Sequence, residues 1–211
     1  MSLLFDNLNF PDFDNFLSKT RKYSYPSNKL IFNEGEVSET LYFILSGSIS
    51  VVLTDDNNRE IIIAYLSQGD FFGEMSLFDI NMNRSTSVRT KENTVLAEIN
   101  YENFKKYADE YPQILYVLGK QMAQRLRNTT QKVADLSFLD ATGRIASALL
   151  NLSKDPSAIT HPDGMQIRIT RQDLGKISNC SREMAGRILK DMQNQGLVKV
   201  SGKTIVIFGT R

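Results

Sequence analysis

Short apolar runs alternate with turn-forming residues through the first hundred positions. The runs are rich in β-branched and aromatic side chains, and glycine, aspartate and asparagine separate them, most densely at 55–58. Short strands divided by such turns are typical of a small sandwich, barrel or roll. We therefore predict an all-β domain from about 29 to 100, after a short helix within 6–17. The clearest runs are LYFIL (41–45), SISVVL (48–53), EIIIAYL (60–66) and TVLAEI (94–99).

The spacing of apolar residues changes to steps of three and four after position 111. Such spacing predicts a helix over 111–138, roughly 42 Å long at 1.5 Å per residue. The stripe resembles a coiled-coil seam, which a second helix must cover, and the same helix of another chain is the simplest partner. We therefore expect a homodimer through residues 111–139; the alternative is a helix that packs only on its own roll. The stripe consists of Leu115, Leu118, Met122, Leu126, Thr129, Val133 and Leu136.

A second domain is predicted over 140–211. A helical segment at 142–153 precedes the segment 154–164, in which two prolines and a glycine predict a loop. Two short helices follow, for which Thr170 and Ser181 are suitable N-caps, with Asp173 completing a capping box. The final apolar segments predict a β-hairpin. A helix, a short turn, a second helix and a strand pair together define a winged helix-turn-helix.

The charge of the chain differs between its two parts. The whole chain has a formal net charge of +1. Residues 1–139 hold 14 basic and 18 acidic side chains, a net charge of −4, whereas residues 140–211 hold 11 basic and 6 acidic, a net charge of +5. An anionic partner is therefore expected for the C-terminal domain alone.

Composition argues against several other classes of protein. Cys180 is the single cysteine, which excludes an intrachain disulfide framework, a multi-cysteine zinc site and a cysteine-bound iron–sulfur cluster. His161 is the single histidine, which argues against haem ligation, a histidine metal site and a Ser-His-Asp hydrolase. The N-terminus lacks the basic region of a signal peptide, and no apolar stretch approaches 18 residues. We expect a soluble protein of a reducing compartment, with no metal and no membrane partner.

The second short helix carries side chains suited to reading DNA. Arginine can donate two hydrogen bonds to guanine, and glutamate can accept one from cytosine. Arg182, Glu183 and Arg187 are therefore candidates for base contacts, although Glu183 and Arg187 alone could equally be a surface ion pair. The turn, the wing and the positive charge favour DNA. Further DNA contacts are expected from Thr170, Arg171, Gln172, Ser181, Lys190 and Lys203.

Residues 69–90 hold a second group of candidate binding residues. Arg84 offers a forked cation and Ser85 a hydroxyl donor for a phosphate. Gly73 permits a close approach of the backbone to a ligand, and Glu74 can accept hydrogen bonds from a sugar hydroxyl. A surface ion pair between Glu74 and Arg84 in a connecting loop is the alternative, and the spacing alone does not decide between the two.

Several longer segments resemble the CRP/FNR family of bacterial transcription regulators over nearly the whole chain. The resemblance implies an α+β protein with an N-terminal cyclic-nucleotide-binding β-roll of jelly-roll type (1–110), a long dimerisation helix and hinge (111–139) and a C-terminal winged helix-turn-helix (140–211). The C-terminal segments are similar to those of the cAMP-responsive branch. The segments are FFGEMSLFD, RSTSVR, QMAQRLRNTTQKVADLSFLDATGRIA, THPDGMQIRITRQDLG, CSREMAGRILK and GKTIVIFGTR.

The resemblance implies roles for individual residues around cAMP. Arg84 and Ser85 would hold the cyclic phosphate, while Gly73 and Glu74 would contact the ribose. Thr129 would read the adenine of its own subunit. The remaining implied roles are Thr130 reaching the same base from the partner subunit, Arg125 pairing with Glu74, and Val51 and Leu66 lining the purine.

Two departures from the family bear on the choice of nucleotide. Thr130 stands where a serine is usual, and Ala64 where a serine near the base is expected. Selectivity between cAMP and cGMP is therefore left open by the sequence.

The resemblance also implies the mode of action. Arg182, Glu183 and Arg187 match residues that read half-sites resembling TGTGA. Thr160 and His161 fit a loop that contacts RNA polymerase, although a solvated loop histidine is an equal alternative. We expect a cAMP-activated homodimer that binds double-stranded DNA and recruits RNA polymerase at the nucleoid in the bacterial cytoplasm. Regulation by another nucleotide, or DNA binding without a ligand, is the alternative.

An enzyme that hydrolyses cyclic nucleotides is the competing class of protein. Such enzymes usually need clusters of metal-binding carboxylates and histidines. Residues 69–90 contain no such cluster. We therefore expect no enzymatic activity.

Overall fold

The computed structural model of the protein describes residues 12–78, 83–155 and 157–210. The chain divides into two compact units, 1–128 and 129–211. The predicted first helix is present as α1 (Phe13–Ser18), and the side chain of Asp12 caps it by accepting a hydrogen bond from the backbone of Asn15. The rest of that prediction, 6–11, lies outside the described residues.

The first unit contains two four-stranded antiparallel sheets among its described residues, which confirms the predicted β-roll. One sheet has the order β1-β8-β3-β6 and the other β2-β7-β4-β5. The strands are β1 (Arg21–Tyr25), β2 (Leu30–Phe32), β3 (Thr40–Ser46), β4 (Ser48–Thr54), β5 (Glu60–Ser67), β6 (Phe71–Phe72), β7 (Ser87–Thr90) and β8 (Thr94–Asn100).

Strand β3 separates two hydrophobic clusters because successive side chains of a strand point to opposite faces. Leu41 and Phe43 pack with the helices of this unit. Tyr42 and Ile44 pack between the two sheets. A strand buried on both faces appears in the sequence as a continuous apolar run, as LYFIL does.

Two helices follow the roll, α2 (Tyr101–Glu110) and α3 (Gln113–Phe138). The predicted long helix is confirmed, and it begins just after Pro112, which lacks a backbone N–H and suits the start of a helix. Ile114 and Leu118 in its first turns are buried in the core of the roll. The side chain of Gln121 binds the backbone of β6, accepting a hydrogen bond from the N–H of Phe71 at 2.8 Å.

The second unit is a helix-turn-helix with a four-stranded sheet of order β11-β12-β10-β9 among its described residues. The predicted caps are present: the N–H groups of Asp173 and Met184 donate to the hydroxyls of Thr170 and Ser181 at 3.0 and 3.1 Å. The Asp173 carboxylate accepts from the Thr170 hydroxyl at 2.7 Å. The elements are α4 (Ala141–Ser153), β9 (Ile159–His161), β10 (Gly164–Arg168), α5 (Arg171–Ser178), α6 (Arg182–Asn194), β11 (Val198–Ser201) and β12 (Thr204–Phe208).

The prediction of a loop throughout 154–164 was wrong. Residues Ile159–His161 form β9, which pairs with β10 so that His161 lies opposite Gly164. Pro162 and Asp163 are the turn of this hairpin rather than part of an irregular loop. The sheet of this unit is therefore larger than the predicted strand pair, because β9 and β10 add to β11 and β12.

Arg144 on α4 joins three parts of the second unit. Its guanidinium donates to the carbonyl oxygens of Leu139 and Ser178, each at 2.8 Å, and to that of Asn179 at 3.4 Å. Leu139 follows the end of α3, and the other two acceptors lie at the end of α5, where Asn179 adopts φ +49°. Because the last carbonyls of a helix lack partners within that helix, a nearby arginine stabilises this turn.

No helix within the described residues is both long enough and apolar enough to span a membrane.

Candidate ligand and DNA sites

The loop after β6 brings the predicted ligand residues close to one another. Gly73 has φ +80°, a conformation that favours glycine. A Cβ atom at this position would lie 2.6 Å from Nη1 of Arg84, so the close approach of that guanidinium requires glycine. Glu74 follows directly and precedes a short 3₁₀ turn, Met75–Leu77.

Arg84 is a buried cation, with only 2% of its surface exposed. Its Nη1 atom donates to the carbonyl of Gly73 at 2.9 Å and to the hydroxyl of Tyr101 at 3.0 Å. Its Nη2 atom donates to the carbonyl of Thr40 at 2.6 Å and to the hydroxyl of Ser38 at 2.7 Å. Four protein acceptors therefore fix the orientation of the guanidinium.

The remaining donor of Arg84, its Nε–H group, is buried and has no hydrogen-bond partner among the described residues. The guanidinium carbon lies 4.3 Å from the ring centroid of Phe32 and 5.6 Å from that of Tyr42, within the range of cation–π attraction. A buried donor without a partner is costly, and the cost disappears if an acceptor binds there. An anionic oxygen has the right charge and hydrogen-bonding capacity for this position.

The Tyr101 hydroxyl also holds the loop after β6. It donates to the carbonyl of Gly73 at 2.6 Å. Burial raises the pKa of Tyr101, with the charge of Arg84 as an opposing influence, so the phenol remains a donor at neutral pH. Sequence reasoning missed Tyr101, Ser38 and Thr40, since each lies far along the chain from Arg84 and none belongs to a recognisable motif.

Glu74 pairs with Arg125 of α3, as the family resemblance implied, and not with Arg84. Nη1 of Arg125 lies 2.8 Å from a carboxylate oxygen of Glu74. Glu74 is only 5% exposed. The other terminal nitrogen of Arg125 donates to the carbonyl of Phe71 and, at 3.4 Å, to Gln121. The alternative of a surface ion pair between Glu74 and Arg84 is therefore wrong, and a largely buried pair instead joins the loop after β6 to the long helix.

The residues predicted to line the purine lie in the cluster between the two sheets. Leu66 is a buried member of this cluster, and Val51 and Ala64 pack against it. Tyr42, whose ring lies beneath Arg84, belongs to the same cluster. The structure thus brings Val51 and Leu66 into the neighbourhood of the phosphate-binding candidates.

Ser85 and the two threonines complete the predicted ligand set. The hydroxyl of Ser85 donates to the sulfur of Met75 at 3.4 Å. Thr129 and Thr130 are exposed residues of α3 at the beginning of the second unit. Their implied contacts with the base stay predictions.

The front of α6 presents the predicted base-reading residues. Arg182, Glu183 and Arg187 are all exposed. Neither an ion pair nor a hydrogen bond joins Glu183 to Arg187 in the described part of the second unit.

Met184 does not belong to the buried back face of α6. It is 36% exposed, and its sulfur accepts from Arg187 at 3.9 Å. Ala185 is buried in its place, together with Ile188, Leu189 and Met192. The buried positions follow i, i+3, i+4 and i+7, which is the spacing of one helix face.

Two of the expected phosphate contacts, Arg171 and Lys190, line a cleft of about 320 Å³ beside α6, along with Val200 of β11. The carbonyl of Lys203 accepts from the backbone of Ile169 at 2.8 Å, which places the tip of the wing beside the start of α5. The other expected contacts at these helix starts are Thr170, Gln172 and Ser181.

Thr160 and His161 lie on the hairpin at the other edge of the sheet. Thr160 is exposed and pairs with Met165 across the hairpin. The His161 ring accepts from the backbone of Asp163 at 3.2 Å. This bond explains the position of the ring without a partner protein, and the polymerase contact stays a prediction.

The fold and sites define a class of protein that joins a cyclic-nucleotide-binding roll to a winged helix-turn-helix. Residues 22–111 match the cyclic nucleotide-binding domain, and residues 143–208 match the Crp-like helix-turn-helix domain. The cAMP-activated global transcriptional regulator Vfr of Pseudomonas aeruginosa is 51% identical over 201 residues, 94% of each chain. The cAMP-activated global transcriptional regulator CRP of Salmonella typhimurium is 50% identical, covering 95% of this chain and 96% of that protein. This chain belongs to the CRP/FNR family of transcription regulators.

A solved structure supports the same assignment. That of the c-di-GMP responsive global regulator CLP of Xanthomonas campestris superposes with a TM-score of 0.86 at 41% identity, covering 94% of this chain and 98% of that one.

The ion pair between Glu74 and Arg125 predicts a measurable coupling. We expect Arg125→Met to lower the free energy of unfolding by about 3 kcal/mol, because it leaves a buried carboxylate without its cation. In combination with Glu74→Gln, the loss should be smaller than the sum of the two single losses by at least about 1 kcal/mol. Urea unfolding of the four proteins measures this coupling.

The exposed neighbour Arg127 provides the matched control. Arg127→Met should change the free energy of unfolding by less than about 0.5 kcal/mol, since surface substitutions have small effects. Strict additivity of the Glu74 and Arg125 substitutions would contradict a direct interaction.

Proposed function

We propose that this protein is a cAMP-activated transcription regulator that binds DNA as a homodimer. The observation that carries the proposal is the buried Nε–H donor of Arg84, without a partner, in a roll that belongs to the cyclic-nucleotide-binding class. The same chain bears a helix-turn-helix with an exposed, polar α6. The names of the Pseudomonas and Salmonella relatives support cAMP as the ligand.

The phosphate of cAMP would accept hydrogen bonds from Nε of Arg84 and from the hydroxyl of Ser85. Arg84 is already oriented by its four acceptors, so little side-chain entropy would be lost when the anion binds. Gly73 and Glu74 would contact the ribose. Since Glu74 is paired with Arg125 of α3, a hydrogen bond between Glu74 and the ribose would change the position of α3.

The base would lie against Val51 and Leu66, with Thr129 and Thr130 as its polar contacts. A ligand shifts an equilibrium between two conformations only if it binds one of them better. We propose that the base contacts both threonines only in the active conformation, in which the α3 helices of the two subunits are paired. Thr130 and Ala64 stand where serine is usual in the family, so the affinities for cAMP and cGMP should be compared to measure the selectivity of the site.

Regulation by another nucleotide is the second candidate. The relative from Xanthomonas campestris, 41% identical, is described as responsive to c-di-GMP. A protein that binds DNA without any ligand is the third possibility. Both are outcomes of the titrations described below.

Exposed apolar side chains along α3 support the homodimer. Association through α3 would remove such side chains from water, which stabilises a dimer by about 25 cal/mol for each Å² of apolar area. Two copies would place two recognition helices one DNA turn apart, roughly 34 Å, on a pseudo-palindrome. The exposed side chains are Leu115, Tyr116, Leu126, Val133, Leu136 and Phe138.

On DNA, Arg182, Glu183 and Arg187 would read the bases of TGTGA-like half-sites. Positively charged and hydroxyl side chains at the helix starts and the wing would bind phosphates, and binding would therefore weaken as salt rises. We further propose that Thr160 and His161 contact RNA polymerase, and that the protein acts at the nucleoid in the cytoplasm without catalysing a reaction.

The phosphate assignment predicts that Ser85→Ala weakens cAMP binding by about tenfold or more, since a hydrogen bond to a charged group contributes about 1.5–3 kcal/mol. Isothermal titration with cAMP, cGMP and c-di-GMP measures the affinities. Ser85 is the better choice for substitution, because replacing Arg84 would also remove hydrogen bonds to the carbonyls of Gly73 and Thr40 that hold the protein together at this loop.

Ser18→Ala is the control, because its hydroxyl is exposed and bonds only to the backbone of its own helix. Equal cAMP affinity in Ser85→Ala and Ser18→Ala would refute the phosphate assignment. Binding of c-di-GMP without binding of cAMP would favour the second candidate.

The DNA assignment predicts that Arg187→Ala lowers affinity for the specific site by about 1–3 kcal/mol and relaxes the preference at one base position. Lys203→Ala should instead weaken specific and random DNA alike, and reduce the slope of the salt dependence by about one. Fluorescence anisotropy at several salt concentrations distinguishes the two behaviours. If Arg187→Ala also weakened both DNAs equally, Arg187 would be a phosphate contact.

A further inference from the structure

The exposed thioether of Met75 is hydrogen-bonded to Ser85, a predicted ligand residue. Met75 is 57% exposed, although it is a large apolar side chain. It directly follows Glu74, and its sulfur accepts the hydroxyl of Ser85 at 3.4 Å. The hydroxyl proposed to bind the ligand phosphate therefore points to a sulfur atom in this structure.

The strength of the acceptor decides whether Ser85 is available to a ligand. A thioether is a weak hydrogen-bond acceptor, so a phosphate oxygen can take the Ser85 hydroxyl from it. Oxidation turns the flexible, apolar methionine into a polar sulfoxide. The sulfoxide oxygen carries partial negative charge, and it would compete with the phosphate for Ser85 while repelling the phosphate charge.

We propose that Met75 is an oxidation site that lowers the affinity of the neighbouring pocket for its nucleotide. The proposal rests on the proposed function, because it assumes that Ser85 binds the phosphate of cAMP. Nucleotide binding would then be sensitive to peroxide through Met75 in the loop after β6, without any reaction of a cysteine.

The chemical step is a two-electron oxidation by hydrogen peroxide. A lone pair of the Met75 sulfur attacks one peroxide oxygen, a sulfur–oxygen bond forms, and the oxygen–oxygen bond breaks. The departing oxygen leaves as water after proton transfer from the attacked oxygen. Sulfur is oxidised to the sulfoxide and the peroxide is reduced. Methionine sulfoxide reductases reverse such a modification.

Exposure favours Met75 over the other described methionines. Met192 is buried, and Met122 and Met165 are partly buried. Met184 is 36% exposed, and its sulfur contacts Arg187 in the second unit, which makes it a suitable internal control. Met82 lies outside the described residues, so the experiment removes it with Met82→Leu in every protein tested.

The experiment treats the full-length Met82→Leu protein with hydrogen peroxide, maps the oxidised methionines by peptide mass spectrometry, and titrates cAMP by calorimetry. Met75→Leu removes the oxidisable sulfur, Met75→Gln imitates the polarity of the sulfoxide, and Met184→Leu is the matched control. We expect oxidation to weaken cAMP binding about fivefold to tenfold, the effect of about one hydrogen bond. Met75→Leu should abolish this change, and Met184→Leu should retain it. Met75→Gln should bind more weakly without peroxide.

A second measurement needs no variant at position 75. Partly oxidised protein is passed over immobilised cAMP, and the retained fraction should be depleted in Met75 sulfoxide but not in Met184 sulfoxide. The proposal is overturned if Met75 resists oxidation, if the retained fraction is not depleted, or if Met75→Leu loses affinity on oxidation as the parent does. Failure of the untreated parent to bind cAMP would instead refute the proposed function and the inference with it.

Discussion

The guanidinium of Arg84 is a cation almost entirely removed from water, and the ligand loop is arranged around it. Its two terminal nitrogens bind four acceptors from three segments of the chain, among them the carbonyl of Gly73 and the hydroxyl of Tyr101. Because an isolated buried charge is costly, these acceptors and the aromatic rings beneath the cation are required to keep it in place. The single donor that they leave, Nε–H, is the group that we propose binds the anionic phosphate of the nucleotide.

An ion pair also connects the loop after β6 to the long helix. Glu74 lies next to Gly73 in sequence and is paired with Arg125 of α3. A nucleotide that contacts Glu74 would therefore act on the helix through one ion pair. In the second unit, Asp135 near the end of the same helix accepts from Ser147 of α4, and Arg144 binds the turn before α6. Each unit thus contains polar contacts that connect α3 to its own functional residues.

Local patterns in the sequence were sufficient for most elements. Four strands of the roll (β3, β4, β5 and β8), the long helix and the caps Thr170 and Ser181 were predicted because each depends on residues that are near one another in the chain. The shorter strands β1, β2, β6 and β7 were not among the predicted runs. The hairpin containing β9 was missed, because Pro162 and Gly164 indicate a turn without showing whether strands flank it. Three partners of Arg84 were missed for a different reason: Tyr101, Thr40 and Ser38 lie 17 to 46 positions away, and only the fold brings them together.

The central claim is that a nucleotide in the roll controls DNA binding by the helix-turn-helix. Its most direct test is fluorescence anisotropy, at one fixed salt concentration, with a labelled palindrome of two TGTGA-like half-sites, in the presence and absence of cAMP. A single half-site of the same length is the control for the dimer. We expect tight binding to the palindrome only with cAMP and much weaker binding to the half-site. Equally tight binding without cAMP would contradict control by cAMP, and the protein would then be a regulator that this nucleotide does not control.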